Sequence, residues 1–249
     1  MAELGFWNLA QRDPGKLALA DPAGREWTRG ELFAEANRLA HGLRALGLGK
    51  ADCVAVVLPN CAEFLALNLA ISQVGMYMTP INHHLTGPEI AYIVQDSGAK
   101  VLIGAERFAE ACLAASREVD FSADRSFSVG ALPNFRDFAE LGAGQPDTLP
   151  DERSAGQVMN YTSGTTGKPK GVRRPLADLS PDLVSSMMTG FLGMFDLTPE
   201  DDNVHICGSP LYHTAVLVFS SSALHMGHTV VLMDKWTPEE MLRLIDRYQ

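Results

Sequence analysis

Tyr161-Thr162-Ser163-Gly164-Thr165-Thr166-Gly167-Lys168-Pro169-Lys170-Gly171 decides how the rest of the chain is read. Besides Tyr161 it holds four hydroxyl residues, together with three glycines, two lysines and one proline. Glycine lets a backbone turn sharply and bring its N–H groups close to an anion. The hydroxyls of Thr162, Ser163, Thr165 and Thr166 add donors, and the lysines add positive charge where phosphate oxygens would sit. The physical reading is a loop that grips a polyphosphate. A Gly/Ser/Thr turn between two strands is the plainer alternative. The P-loop is the chemical rival, but it needs a glycine, four residues and then Gly-Lys-Ser/Thr. Here Gly167-Lys168 is followed by Pro169, and Thr162 stands where that first glycine belongs, so the spacing fails.

Outward from the loop, an apolar run at 158–161 leads in, and Val172-Arg173-Arg174 leads out. Upstream and downstream, short apolar runs alternate with capped helical patterns, which predicts parallel strands joined by crossover helices. Residues up to about Gly49 read as an opening helical segment, with Thr28 and Glu31 as a capping box. Cys53-Val-Ala-Val-Val-Leu58 reads as a buried parallel strand. A helix follows over 63–74 and a strand over 76–81. Thr86-Gly87-Pro88-Glu89 caps a further helix with proline in its first turn. Strands are expected at 100–104, 126–129, 204–207 and 228–233. Helices are expected at 105–117, from Ser180 to about Phe195, over most of 212–226, and after Thr237-Pro238-Glu239-Glu240. Residues 142–156 are polar and aperiodic, a surface loop. Met187, Met188, Phe191 and Met194 read as core rather than a substrate box, although an acyl tunnel could share that surface.

Composition excludes several classes. The 249 residues are 46% apolar, enough for one large or two modest cores. The formal charge of -10 argues against non-specific nucleic-acid binding and fits ordinary solubility. Cys53, Cys61, Cys112 and Cys207 are widely spaced, suggesting neither a zinc site nor a disulfide framework, so a reduced, cytoplasmic setting is expected. No uninterrupted apolar run reaches membrane-spanning length. The first residues, Met1 to Trp7, lack a basic segment before an apolar one and do not read as a signal peptide. His83, His84 and His205 have no metal-like partners at suitable spacing and read as structural or surface residues. No metal ligands are expected.

The loop resembles the phosphate-binding signature of the adenylate-forming superfamily, which includes acyl-CoA synthetases, peptide-synthetase adenylation domains and luciferases. Lys168 occupies the variable position of that pattern and Lys170 the fixed one. Leu58-Pro59-Asn60, Glu63-Phe64 and the segment from Gly75 through Pro80-Ile81-Asn82 are similar to the family's early core. Pro210-Leu211-Tyr212-His213 is similar to its later Pro-Leu-aromatic-His segment. The resemblance implies an α/β fold with parallel sheets flanked by helices, in two flavodoxin-like subdomains. Residues 76–200 are expected to form one subdomain, and 1–75 with 201–249 the other. Thr162, Ser163, Gly164, Thr165, Thr166, Gly167, Lys170 and Gly171 would hold the phosphates, and His213 would face the carboxylate.

The implied activity is ATP-dependent acyl-CoA synthesis from a fatty or aryl acid, using ATP, Mg2+ and coenzyme A. Two alternatives stay open: an adenylation domain or acyl-AMP ligase serving a carrier protein, and a non-catalytic nucleotide-binding module. The family's Tyr-Gly-x-Thr-Glu segment, ribose-binding aspartate, hinge and lysine-bearing small domain do not occur in these 249 residues, which are therefore expected to be inactive alone. The phosphate loop is expected to be mobile without nucleotide, because it lacks an apolar anchor.

Overall fold

A computed structural model of the chain describes residues 4–162, 168–199 and 201–248. Two sheets and three sets of helices alternate. The larger sheet has six parallel strands: β3 (Cys53–Val56), β4 (Tyr77–Pro80), β5 (Ala99–Ala105), β6 (Ser126–Val129), β7 (Arg136–Asp137) and β8 (Gln157–Val158). Their spatial order is β7-β6-β5-β3-β4-β8. The smaller sheet joins β1 (Leu17–Ala20), β2 (Glu26–Thr28), β11 (Val204–Cys207) and β12 (Thr229–Leu232) in the order β11-β12-β1-β2. All its pairs are parallel except β1 with β2.

Between the sheets lie α1 (Phe6–Arg12), α2 (Arg29–Ala45) and α3 (Ala62–Ser72), with α8 (Thr214–Met226). A single cluster of buried side chains runs from Leu19 and Val230 in one sheet, through Leu32, Leu39, Phe64 and Leu67, to Val54 and Val56 in the other. α3 is apolar all round because it has protein on every side, the pattern expected of a wholly buried helix. α4 (Gly87–Asp96) and α5 (Ala109–Glu118) cover the far face of the larger sheet, through Ile90, Val94, Cys112 and Ala115. α9 (Pro238–Tyr248) covers the far face of the smaller sheet through Leu244. A short α6 (Ala139–Gly142) packs on α2, and α7 (Pro181–Gly193) lies along α8.

Local signals are met where they were read. The Thr28–Glu31 capping box is formed in both directions, as is Thr86 with Glu89. Thr237 Oγ1 accepts from Glu240 N at 3.2 Å at the start of α9. Three expectations are corrected. The opening segment is not wholly helical: Leu17–Ala20 and Glu26–Thr28 are strands. Alternating Leu and Ala has no strand propensity of its own, and β1 exists because β12, more than 200 residues away, pairs with it through Leu19↔Val230. Cys53–Val56 does not pair with the 201–249 strands, since it sits between β4 and β5 in the larger sheet. The buried run specifies a strand on its own, but a crossover partner next in the chain decides which sheet receives it. Met187 and Met194 are 65% and 71% exposed and so are not core. Phe191 makes edge contacts with Phe195 and Phe219. The expected mobility of the phosphate loop falls on Ser163–Gly167, outside the described residues.

Gly42 tests this packing. In a helix interior, glycine to alanine gains about 1 kcal/mol by propensity. A Cβ at Gly42 would overlap the Leu141 carbonyl oxygen, which is backbone and cannot turn aside. Gly42→Ala is therefore expected to destabilise the fold, and a raised urea midpoint for this variant would refute the α2–α6 contact.

Candidate nucleotide and acid site

The loop is carried by an antiparallel pair, β9 (Asn160–Thr162) and β10 (Lys170–Val172). Thr162 lies opposite Lys170, Gly171 opposite Tyr161, and Val172 opposite Asn160. The register therefore sets the two ends of the 162–170 stretch face to face. A Cβ on Gly171 would stand 2.5 Å from Met159 Cε and 2.8 Å from Tyr161 Cζ, so a side chain there would displace both of those side chains. Ser163, Gly164, Thr165, Thr166 and Gly167 lie outside the described residues.

Three tyrosines fasten the pair to the larger sheet. Tyr161 donates its hydroxyl to Asp96 Oδ2 at 2.6 Å. Burial, reinforced by the Asp96 carboxylate, pushes the Tyr161 pKa up, so the phenol stays a donor. Tyr92 donates to the Pro169 carbonyl at 3.2 Å, and Tyr77 to the Arg174 carbonyl at 2.6 Å. Arg173 donates to the Ala51 carbonyl at 2.5 Å and lies over the Tyr77 ring. The two lysines of the motif differ in the same way. Lys168 Nζ lies 5.0 Å from the Tyr92 ring centroid, an engaged cation. Lys170 is exposed, and its side chain has no hydrogen bond or ion pair among the described residues.

His213 is the residue before the first turn of α8, and it is exposed. Its ring lies 4.4 Å from Tyr212, which meets His83 edge-on at 5.0 Å. His83 in turn stacks on Phe108 at 4.4 Å. This run of rings sets the bearing of the His213 segment, and sequence reasoning did not link its members. Asn60 fixes the same segment from below. Its Nδ2 donates to the carbonyls of Ser209 and Met233, and its Oδ1 accepts from Leu211 N at 2.8 Å.

A cavity of about 420 Å³ opens beside the β9–β10 pair and runs along α8. Thr162 from the base of the phosphate stretch and Thr214, next to His213, both line it. His213, Lys170 and Gly171 are not among its described walls. The middle is apolar, with Leu217, Val218, Val184 and Met188. Sequence reasoning missed its deepest members, Trp7 and His225, which lie 218 positions apart in the chain and carry no motif.

Residues 6–249 match the AMP-binding enzyme family. The chain belongs to that family. It is 31% identical over 249 residues to a feruloyl-CoA synthase from an Amycolatopsis species, covering 98% of this chain and 46% of that protein. It is 29% identical over 243 residues to a long-chain-fatty-acid–CoA ligase of Mycobacterium tuberculosis, covering 96% and 47%. Among solved structures, ATP-bound MatB from Rhodopseudomonas palustris superposes with a TM-score of 0.76 at 29% identity, covering all of this chain and 48% of that one. A fatty acyl CoA synthetase of Mycobacterium tuberculosis gives 0.78 at 26%, covering 96% and 46%. The chain spans about half the length of the curated relatives it matches. Among the described residues, no helix is long and apolar enough to cross a membrane.

His225 makes acid stability predictable. Burial pushes its pKa from 6.5 down to about 4. Between those values the unfolded chain binds the proton and the folded one does not, so stability falls as pH drops through that window. The loss from this residue reaches about 3 kcal/mol near pH 4. Denaturation of the parent chain and of His225→Gln at pH 7, 5.5 and 4 checks it: the variant should lose less stability over that range.

Proposed function

We propose that these residues form the triphosphate grip and part of the acid pocket of an ATP-dependent ligase. That ligase activates a carboxylic acid as an acyl adenylate and passes it to coenzyme A. The observation that carries this reading is Lys170, whose side chain has no partner among the described residues, held opposite Thr162 beside a cavity that Thr162 and Thr214 share. In the first step a carboxylate oxygen attacks the α-phosphorus of ATP, and the bond from that phosphorus to the bridging oxygen breaks. Pyrophosphate leaves and acyl-AMP remains. In the second, the coenzyme A thiolate attacks the acyl carbonyl and AMP departs. The first step sets one anion against another, so fixed donors and cations at the leaving phosphates lower the barrier, one such donor contributing roughly 3 kcal/mol.

In this assignment Lys170 and the hydroxyl of Thr162 hold the leaving pyrophosphate, with Ser163, Gly164, Thr165, Thr166 and Gly167 completing the cradle. Gly171 lets the strands close, and His213 stands at the acid end, set by Tyr212, His83 and Asn60. Magnesium fits as a companion of the phosphates, where it neutralises their charge. Among the described residues no cluster of three or more His, Cys, Asp or Glu could hold it alone. Adenylation needs carboxylate and α-phosphorus in line, a positioning that can account for roughly 7–11 kcal/mol of the barrier. The 249 residues supply one side of it, so alone they are expected to bind ATP-magnesium without multiple turnovers.

Calorimetric titration of the 249-residue chain with ATP-magnesium tests the grip. Lys170→Ala should weaken binding at least tenfold, since a charge-assisted contact is worth about 1.5–3 kcal/mol. Lys168→Ala, whose charge already sits on Tyr92, should weaken it less than threefold. Equal effects would overturn the assignment.

A further inference from the structure

The far end of the cavity is built differently from its middle. Thr214, Leu217, Ser221 and His225 follow one another down a single face of α8. At 1.5 Å per residue, Ser221 lies about 10 Å and His225 about 16 Å along the helix from Thr214. The His225 side chain is almost wholly buried, at 2% exposure. Phe6 N donates to its Nδ1 at 3.2 Å, and Gly5 N donates to its carbonyl at 2.9 Å. A ring that accepts at Nδ1 carries its proton on Nε2 when neutral, and so presents an N–H donor. No further hydrogen bond of that ring is found among the described residues. Ser221 Oγ accepts from Asn68 Nδ2 at 3.0 Å, which leaves the hydroxyl proton free to donate. Trp7, with its ring 5.2 Å from that of His225, is 1% exposed, and its indole N–H has no acceptor. A donor kept from water without an acceptor costs about 1–3 kcal/mol, and the donors of His225 and Ser221, which line this end of the cavity, can be satisfied by an oxygen from a ligand.

We propose that the far end of this cavity recognises a neutral oxygen acceptor, a phenol, ether or terminal hydroxyl, at the tail of an acid with an apolar body. His225 and Ser221 are the residues that read it. The assignment rests on the cavity being the acid site of the ligase reading above, with the carboxylate at the Thr162–Thr214 end. The acceptor is neutral because no charge at the far end is left for an anion: burial keeps the imidazole uncharged, the Arg153 guanidinium 4.8 Å from the Trp7 ring centroid is already held by Asp182 at 2.7 Å, and Arg174, the charged residue of the described lining, is exposed on the exit strand's side. A second carboxylate there would be buried without a counter-ion.

Matched acids test this on the 249-residue chain by calorimetry: para-hydroxycinnamic against cinnamic acid, and ω-hydroxydecanoic against decanoic acid. At least one oxygenated member should bind about tenfold tighter than its plain partner, the worth of one to two hydrogen bonds. His225→Phe should reduce that preference to within about twofold, and His225→Gln, which keeps an acceptor and a donor, should restore part of it. Ser221→Ala, a smaller change, should lower the preference about threefold should His225→Phe not fold. Equal binding within both pairs, or a preference that survives both Ser221→Ala and His225→Phe, would overturn the inference. ATP-magnesium titration of the same samples separates the failures. Nucleotide binding without acid discrimination sinks only the recognition of the tail, whereas loss of both sinks the ligase reading as well.

Discussion

Thr162 and Lys170 stand opposite each other across two short antiparallel strands, and the candidate site depends on that register. A slip by one residue would turn Lys170 to the other face of the pair and bring Gly171 out of line with Tyr161. Two three-residue strands cannot hold a register by their own hydrogen bonds, since an isolated hairpin is marginal in water. The tyrosine anchors supply what the ladder lacks. Tyr161, Tyr92 and Tyr77 each pin a different point of the hairpin to α4 or to the larger sheet. The proposed phosphate grip thus rests on a parallel sheet and its α4 cover through three phenols.

The same frame explains why the cavity opens where it does. β8 continues the larger sheet and runs straight into β9, so the hairpin leaves the sheet at its edge. α8 descends between the sheets from His213, and its buried end is gripped by α1 through His225. The space between hairpin, α7 and α8 is bounded by elements from opposite ends of the chain. Its apolar middle and donor-rich end follow from which face of α8 meets α1 and α3.

Much of this was legible in the sequence where a signal is local. Thr28–Glu31 and Thr86–Glu89 announce helix starts because a capping box is satisfied within four residues. Val204–Cys207 and Ser126–Val129 are strands wherever they are placed, being short apolar or β-favouring runs between turns. The family was legible because the motif that carries the resemblance lies in one contiguous segment. What escaped was non-local. Leu17–Ala20 becomes a strand only by meeting β12, and Cys53–Val56 gives no hint of its sheet. Trp7 and His225 have no pattern joining them. His83 looks like a lone surface histidine until Phe108 and Tyr212 close on it.

The central claim is that the hairpin holds the phosphates of ATP. Hydrogen exchange of the 249-residue chain, with and without saturating ATP-magnesium, addresses it directly. The account predicts slowed exchange in peptides covering residues 160–172, with peptides covering β6 and β7 unchanged. Nucleotide binding that leaves 160–172 unprotected, or protects another segment instead, would contradict it.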